Sequence, residues 1–156
     1  MTHARTECAP KDTEAALAEA EALVTARGQR LTPIRRQVLR LLLDDPQPAK
    51  AYDLIERLDG IGAAKPPTVY RALDFLLEME IAHKIESLNA YVACGHLSHP
   101  HAAIFLICDR CGTATELHAE DTLGRVRADA LSAGFSVRRA VMEARGLCAQ
   151  CRSETE

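Results

Sequence analysis

Two Cys-x-x-Cys pairs carry the clearest chemistry in this sequence. Cys108 and Cys111 form the first pair, and Cys148 and Cys151 form the second pair after 36 intervening residues. Four thiolates complete a tetrahedral zinc shell with no open position, so the spacing predicts one shared structural zinc site. The alternatives are a thioredoxin-like redox pair and unrelated free thiols. A redox pair normally opens a helix after a strand, whereas the glycines that flank both pairs here predict turns between the cysteines.

A second, looser group of possible metal ligands lies between residues 83 and 118, a stretch that holds five of the six histidines. The candidates are His83, Cys94, His101 and Glu116. One thiolate among such ligands favours zinc over harder ions, but the spacing is irregular, and a lone histidine or cysteine in a hairpin is more often structural. Of the remaining histidines, His99 and His118 are either ligands of a possible third site or solvated side chains.

The composition is that of an ordinary globular protein, with 47% apolar and 26% charged residues. No apolar run approaches the ~20 residues that span a bilayer, and the N-terminal residues lack the apolar region of a secretory signal. We therefore expect a cytoplasmic protein with no membrane partner, in a compartment where thiols stay reduced. The net charge of −3 argues against a general nucleic-acid binder.

A local cluster of positive charge contrasts with the acidic net charge. Between Arg27 and Leu43 there are five arginines and no acidic residue. Such a stripe suits phosphate contact by one face of a helix, but it is equally typical of a solvated helix face. Charge alone leaves both interpretations open.

Helix signals follow one another through the first half of the chain. Residues 1–12 are predicted to be a flexible tail, and Thr13 is the predicted N-cap of a first helix. Apolar periodicity and proline signals predict helices at residues 13–27, from 33 to the break at 44–48, at about 51–58 and at about 66–79. The core stripe of the fourth helix is predicted to be Val69, Ala72, Leu73 and Leu76.

Two extended runs, 81–86 and 90–94, surround a turn signal and predict a hairpin after the fourth helix. Four helices followed by a hairpin are in the order of a winged helix-turn-helix. We therefore predict a DNA-binding domain over residues 13–94, with the fourth helix in the major groove and the hairpin as the wing.

The polar segment 95–102 is predicted to be a hinge, and residues 103–156 to form a second domain. Strands are predicted at 103–107, 113–117 and 135–143, and a helix at 121–133. This unit has too little core to be stable alone, which favours a dimerisation module. The expected fold class is α+β: an N-terminal winged helix-turn-helix DNA-binding domain plus a small C-terminal α/β dimerisation domain with a four-cysteine zinc site.

Six stretches between residues 30 and 151 form a distinctive set: RLTPIRRQVL, AYDLIERL, AKPPTVYRALDFLLE, HKIESLNAYVAC, HPHAAIFLICDRCG and GLCAQC. With this set the chain resembles the ferric uptake regulator superfamily, and most closely its zinc uptake regulator branch. The PPTVYRAL element together with the paired cysteines is highly specific to the superfamily. The cysteine at position 94 favours the zinc branch over the iron branch.

The resemblance implies a homodimeric repressor that binds palindromic operator DNA when regulatory zinc is bound, and that controls genes of zinc uptake. The implied cofactor is Zn²⁺, with a structural ion on the four paired cysteines. The implied ligands of the regulatory ion are His83, Cys94, His101 and Glu116. The implied DNA contacts are Tyr52, Lys65, Thr68, Tyr70 and Arg71, with Arg30 and Arg36 near phosphates. No enzymatic activity and no small-molecule substrate are expected.

Two alternatives to zinc-responsive repression are open at this stage. Within the same superfamily, the chain would be an iron- or peroxide-responsive regulator, and a thiolate at Cys94 fits the peroxide reading worst. In a different class, it would be a thiol-disulfide oxidoreductase that uses Cys108 and Cys111. That function predicts a reducible thiol of low pKa and no bound metal.

Overall fold

Helices come first along this chain and a sheet follows. The computed structural model describes residues 12–45, 47–60, 65–95, 97, 103–118, 120–138 and 140–154. The predicted tail lies outside these residues except for Asp12, and most of the predicted hinge at 95–102 also lies outside them. The chain divides into two compact units, with the boundary between residues 98 and 99.

The helices of the N-terminal unit follow the predicted bounds closely. They are α1 (Thr13–Ala26), α2 (Pro33–Asp44), α3 (Ala51–Asp59) and α4 (Pro66–Glu78). Proline opens both α2 and α4, where a missing N–H removes no helical hydrogen bond and the ring already holds a helical φ. The predicted cap of α1 is wrong, because Asp12 is the extended residue and its carboxylate accepts from the Glu14 amide at 2.9 Å. Thr13 is already helical, and its hydroxyl donates to Asp44 at 2.8 Å.

The core of the N-terminal unit forms around the apolar stripe of α4. All four predicted stripe residues are buried in it: Val69, Ala72, Leu73 and Leu76. They pack with buried side chains from α1, α2 and α3, among them Leu17, Val38 and Leu54. Burial of one such aliphatic side chain stabilises the fold by about 1.5–3 kcal/mol, so this stripe holds α4 in place and leaves its opposite face exposed.

A hairpin follows α4 as predicted. Strand β1 (Ala82–Ile85) pairs antiparallel with β2 (Ala90–Ala93), and a single 3₁₀ turn and Asn89 join them. Asn89 has a φ of +47°, a conformation that asparagine tolerates better than most residues. Tyr91 of β2 also exchanges two backbone hydrogen bonds with Ala49, at 2.8 and 2.9 Å. The hairpin is thereby attached to the segment before α3, which completes a winged helix-turn-helix.

A three-stranded sheet forms the centre of the C-terminal unit. Strand β3 (Ala103–Cys108) lies in the middle, antiparallel to β4 (Ala114–His118) and parallel to β5 (Val141–Gly146). Helix α5 (Glu120–Ser132) connects β4 to β5, and the short helix α6 (Ala149–Ser153) follows β5. The mixture of a helical unit and a sheet unit confirms the predicted α+β class.

The third strand of this sheet departs from the prediction. A strand was expected at Phe135–Glu143, but β5 begins at Val141 and ends at Gly146. Its register explains the shift, because Val141 pairs with Ala103 and Gly146 pairs with Cys108, so β5 runs along the whole of β3. The alternating residues from Phe135 onward have the period of a strand, but period alone does not select a register.

Helix α5 is almost entirely exposed within the described residues. Leu123 is its buried apolar residue, whereas Leu131 is 71% exposed and Phe135, just after the helix, is 65% exposed. Across the described residues, no helix combines the length and the apolar character that crossing a bilayer requires.

Candidate metal centre and nucleic-acid interface

The sheet of the C-terminal unit brings the two cysteine pairs together. Cys108 is the last residue of β3 and lies beside Gly146, the last residue of β5. The chain leaving β5 therefore reaches Cys148 next to the turn that follows β3. The Cys148 amide lies 3.4 Å from the Cys108 sulfur, to which it donates. Parallel pairing of β3 with β5 thus closes the gap of 36 residues between the pairs.

Each pair lies on a different kind of local structure. Between Cys108 and Cys111 the chain turns tightly: the Gly112 amide donates to the Cys108 carbonyl at 2.9 Å, and Gly112 has a φ of +74°, which favours glycine. Cys148 instead caps α6, and the Cys151 amide donates to its sulfur at 3.5 Å. The predicted turn between Cys148 and Cys151 is therefore wrong, because those residues open a short helix.

The four sulfurs are spaced as a tetrahedral zinc ion requires. All lie within 4.8 Å of one another, and the Cys111 and Cys148 sulfurs are 3.8 Å apart. A tetrahedron with Zn–S bonds of about 2.3 Å has sulfur–sulfur edges of about 3.8 Å. A disulfide needs an S–S distance of about 2.05 Å, and no disulfide joins the cysteines of the described residues. The cluster fits a closed four-thiolate zinc site, in which Cys108, Cys111, Cys148 and Cys151 would be the ligands.

The surroundings of the sulfurs favour the thiolate form of Cys108 and Cys111 but not of Cys151. The backbone amides of Cys111 and Cys148 donate to Cys108 and lower the pKa of its thiol to about 6. The Thr113 hydroxyl, 3.2 Å from the Cys111 sulfur, lowers the pKa of Cys111. Burial raises the pKa of Cys151 to about 12. The cluster without metal thus keeps at least one proton at neutral pH, and metal binding must displace it.

Two ion pairs brace the cluster, and the sequence analysis did not identify them. The Asp109 carboxylate accepts from two guanidinium nitrogens of Arg145, each at 2.7 Å. Arg110 donates to the Cys151 carbonyl at 3.3 Å and pairs with Glu154 at 3.2 Å. These pairs tie the turn after β3 to β5 and to α6. No pattern signals them in the sequence, since arginine and aspartate are common in turns.

Two of the predicted regulatory ligands are neighbours at the open end of the wing. Cys94 follows β2 and its amide donates to the Ile81 carbonyl at 3.0 Å, while His83 lies two residues further along β1. Residues 81, 83 and 94 therefore share one face of the hairpin. His83 and Cys94 are both buried, and a ring nitrogen of His83 lies within 4.8 Å of the Cys94 sulfur. A thiol and an imidazole in this arrangement are two ligands of the type zinc prefers.

The other predicted ligands lie in the second half of the chain. Glu116 is buried on β4, opposite the buried Phe105 of β3. A buried carboxylate is costly unless it is hydrogen-bonded or bound to a cation. His101 and His99 lie outside the described residues. His118 ends β4, but its side chain is not among those described.

The predicted DNA-reading residues lie together on the exposed face of α4. Lys65, Thr68, Tyr70 and Arg71 are all exposed, and Tyr70 has 48% of its surface accessible. Lys65 is the N-cap of α4, and the other three occupy its first turns away from the buried stripe. Tyr70 is therefore not part of the hydrophobic core. An exposed, polar and cationic helix start of this kind can enter a major groove.

Tyr52 and Arg30 are also exposed on the N-terminal unit. Tyr52 lies in the first turn of α3, and its hydroxyl hydrogen-bonds to the Glu56 carboxylate, which raises the pKa of Tyr52. Arg36 differs from them, because it pairs with Glu14 at 3.3 Å and Glu21 at 3.2 Å. A phosphate would have to compete with those carboxylates.

The basic stripe of the sequence is largely used inside the unit. Arg27 donates to the Met79 carbonyl at 3.0 Å, and Arg40, like Arg36, pairs with Glu14 on α1. The local excess of positive charge is thus compensated by acidic residues of α1 that are distant in sequence. Most of these arginines therefore bind other groups of the protein, so they form neither a free phosphate-binding face nor a purely solvated face.

A winged helix-turn-helix unit and a sheet unit with four clustered thiols define a metal-binding protein of the winged-helix class. The chain belongs to the ferric uptake regulator family, whose model matches residues 26–145. It is 47% identical over 141 residues to the zinc uptake regulation protein of Escherichia coli (strain K12), across 89% of this chain and 82% of that protein. The zinc uptake regulation protein of Shigella flexneri matches with the same figures.

Solved structures agree with this assignment. A zinc uptake regulator complexed with zinc and DNA has a TM-score of 0.86 and 44% identity, and covers 94% of this chain and 99% of that one. The crystal structure of holo XcZur has a TM-score of 0.83 and 45% identity, and covers 91% of this chain and 99% of that one. The resemblance to the superfamily, and within it to the zinc uptake regulators, is confirmed.

Proposed function

We propose that this protein is a zinc-responsive transcriptional repressor, which binds palindromic operator DNA as a dimer when regulatory zinc is bound and controls genes of zinc uptake. The buried His83–Cys94 pair is the observation that carries the proposal, because it puts two zinc ligands at the base of the wing in a DNA-binding unit. The zinc uptake regulators among the relatives, one of them complexed with zinc and DNA, support it.

The regulatory site is proposed to be completed by His101 and Glu116. Two protein ligands are too few for a closed zinc shell, which normally has four. The burial of Glu116 on β4 supports its role, since a carboxylate removed from water gains from a cation. When bound there, zinc would supply a cross-link that keeps the wing in one orientation. His83 and Cys94 would hold it from the wing side.

The thiol of Cys94 also favours zinc-responsive repression over the alternative functions. A thiolate ligand favours zinc over harder ions, so the iron- and peroxide-responsive alternatives are less well supported. The oxidoreductase alternative gains two observations, the lowered pKa of Cys108 and the position of Cys148 at the start of α6. The cluster of four sulfurs outweighs both, because a redox pair does not need a second pair at tetrahedral spacing. We therefore propose a regulator without enzymatic activity, acting in the cytoplasm on DNA.

Operator recognition is proposed to centre on α4. Arg71 is the proposed base reader, since a guanidinium can grip guanine by two hydrogen bonds worth about 1–3 kcal/mol of discrimination. Lys65, Thr68 and Tyr70 would contact neighbouring phosphates or base edges from the same helix start. Arg30 and Tyr52 would contact the backbone beside them, and the ion pairs of Arg36 make it the weakest of the proposed contacts.

Dimerisation is assigned to residues 103–156, with residues 95–102 as the hinge and 13–94 as the DNA-binding domain. The exposed apolar surface of the C-terminal unit supports this division. It includes Leu106, Leu117, Val126, Leu131, Phe135 and Leu147. A helix with one buried apolar residue is marginal in water, so a second copy that covers α5 would stabilise it.

Control by zinc requires a difference in zinc affinity between DNA-competent and incompetent states. A switch from 1:99 to 99:1 needs roughly 10⁴-fold differential binding. By reciprocity, operator DNA must tighten zinc binding by the same factor. The ligands must also be deprotonated, so regulatory binding is linked to pH.

The test is metal content per protomer before and after mild chelation, with DNA binding assayed on the same samples. We expect two or more zinc ions at the start and one after chelation, with DNA binding lost and then restored only by added zinc. A single zinc with DNA binding indifferent to chelation would overturn the regulatory site. A protein that holds no zinc but forms a Cys108–Cys111 disulfide would instead support the oxidoreductase.

A further inference from the structure

Arg35 connects two parts of the N-terminal unit that the proposed function assigns to DNA. Its guanidinium carbon lies 3.5 Å from the centre of the Phe75 ring, in a cation–π contact. One of its terminal nitrogens also donates to the Arg30 carbonyl at 2.8 Å. Arg35 is in the first turn of α2, so a single side chain bridges the loop before α2 and the helix α4.

Both ends of this bridge lead to proposed DNA contacts. The carbonyl at one end belongs to Arg30, which is exposed and is a proposed phosphate contact. Phe75 at the other end is four residues after Arg71, so the two lie on the same side of α4. A helical side chain covers the turn that precedes it, so the ring lies over the turn that carries Arg71. Phe75 is only 7% exposed, and its ring is therefore a fixed platform.

We propose that Arg35 is a positioning residue for DNA recognition, which holds the Arg30 loop and the recognition helix α4 in a fixed relation. This inference rests on the proposed function. Phosphate contacts set the register of a protein on the duplex, and base contacts read the sequence from that register. A bridge between the two kinds of contact therefore affects discrimination between sequences more than it affects general attraction to DNA.

The other arginines of α2 show that the bridge is specific to Arg35. Arg36 and Arg40 of the same helix instead pair with acidic residues of α1. Arginine is also the residue suited to this position, because its planar group stacks on a ring and still donates in its own plane. A lysine keeps the charge but is a compact, strongly hydrated ammonium that cannot do both.

The experiment compares Arg35→Ala and Arg35→Lys with wild type and with the control Arg40→Ala, which removes one positive charge from the same helix. The probes are the duplex that zinc-loaded wild-type protein enriches from a random library and a scrambled duplex of equal length. We expect both Arg35 variants to bind the enriched duplex about tenfold more weakly, equal to about 1.4 kcal/mol, and the scrambled duplex within about twofold of wild type. Arg40→Ala should retain wild-type discrimination.

A double-mutant cycle provides a second readout. Phe75→Leu should weaken binding to the enriched duplex in the wild-type background, and should add little in the Arg35→Ala background, because the stack is already lost. Zinc content and thermal unfolding are measured for each variant, and the comparison is made below the unfolding transition of all of them.

Three outcomes would overturn the inference. If Arg35→Lys binds both duplexes as wild type does, the charge suffices and no positioning is needed. If Arg35→Ala weakens both duplexes equally and lowers the salt slope by about one unit, Arg35 is a direct phosphate contact. If the effects of Phe75→Leu and Arg35→Ala on binding to the enriched duplex are additive, the two residues do not act through their stacking contact. A wild-type protein that enriches no duplex would overturn the proposed function itself, together with this inference.

Discussion

Replacement of Cys148 by serine tests how far the C-terminal unit depends on its four-cysteine site. The Cys148 side chain is only half-buried, but its sulfur lies 3.8 Å from that of Cys111, and zinc would link the two. Serine keeps the size of the side chain and the cap of α6 while removing a thiolate ligand. We expect Cys148→Ser to lose the structural zinc and to destabilise the C-terminal unit strongly.

The magnitude follows from the length of chain that the site closes. From Cys111 to Cys148 there are 38 residues inclusive. A cross-link across a loop of that length removes unfolded-state entropy worth about 4 kcal/mol at 25 °C in the chain-entropy model, and a metal clip acts in the same way as a disulfide. The core of so small a unit contributes only about 3–5 kcal/mol. Loss of the cross-link therefore removes about half of the free energy of unfolding of the unit and leaves only the contribution of the core.

Amide hydrogen exchange of β3, read by mass spectrometry, is the assay. We expect the β3 amides to be the best protected of the sheet, because this strand pairs on both sides. A loss of about 4 kcal/mol should speed their exchange by between two and three powers of ten. The α4 amides report on the N-terminal unit and should be unaffected. Cys94→Ser is the matched control, since it removes a cysteine outside this site.

Unchanged β3 protection in Cys148→Ser would refute the reasoning, most clearly if the variant also lacks the structural zinc. That result would mean that the sheet, or its dimer contacts, supports the unit without the cross-link. If Cys94→Ser accelerated exchange of the β3 amides as much as Cys148→Ser does, the effect would not be specific to the four-cysteine site.

Three other predictions use different parts of the molecule. Cys94→Ser should keep one tightly held zinc but lose zinc-dependent DNA binding, measured by metal analysis and fluorescence anisotropy; unchanged zinc dependence would remove Cys94 from the regulatory site. Glu80→Gly should raise the free energy of unfolding by about 0.5–1 kcal/mol in urea titrations, because Glu80 has a φ of +58° at the end of α4, and a loss of stability would contradict a strained Glu80. Because backbone amides lower the pKa of Cys108 to about 6, it is a thiolate above that pH and takes up a proton below it. Zinc affinity of the four-cysteine site should therefore fall more steeply below about pH 6, by an extra factor of about ten per pH unit, in chelator competition between pH 5 and 8; a constant slope would contradict this.

Local signals predicted the helical half of the molecule well. Proline at Pro33 and Pro66 and the apolar stripe of α4 are properties of consecutive residues, and helices form from contacts within a few residues. The hairpin was predicted for the same reason, since its strands are joined by a short turn. The error at the start of α1 is local too, because Asp12 and Thr13 are both good caps and only the backbone conformation distinguishes them.

Long-range pairing was the part that local signals missed. Alternating residues from Phe135 onward have the period of a strand, but β5 begins at Val141 because it must run beside β3. The arginines of α2 were visible as charge, but their partners Glu14 and Phe75 lie on other helices. Composition could not distinguish a phosphate face from internal ion pairs, since both need the same residue type.

The sequence by itself determined which chemistry this protein can carry. Two Cys-x-x-Cys pairs, a histidine and a cysteine in the wing, and the PPTVYRAL element indicate zinc and DNA, because ligand types and helix starts are properties of residue identity and short spacing. Only the tertiary structure decided which side chains meet. The parallel pairing of β3 with β5 brings Cys108 to Cys148, and the packing of α2 on α4 brings Arg35 to Phe75. Such contacts depend on how elements distant along the chain bury their apolar faces against each other, and no local pattern encodes that register.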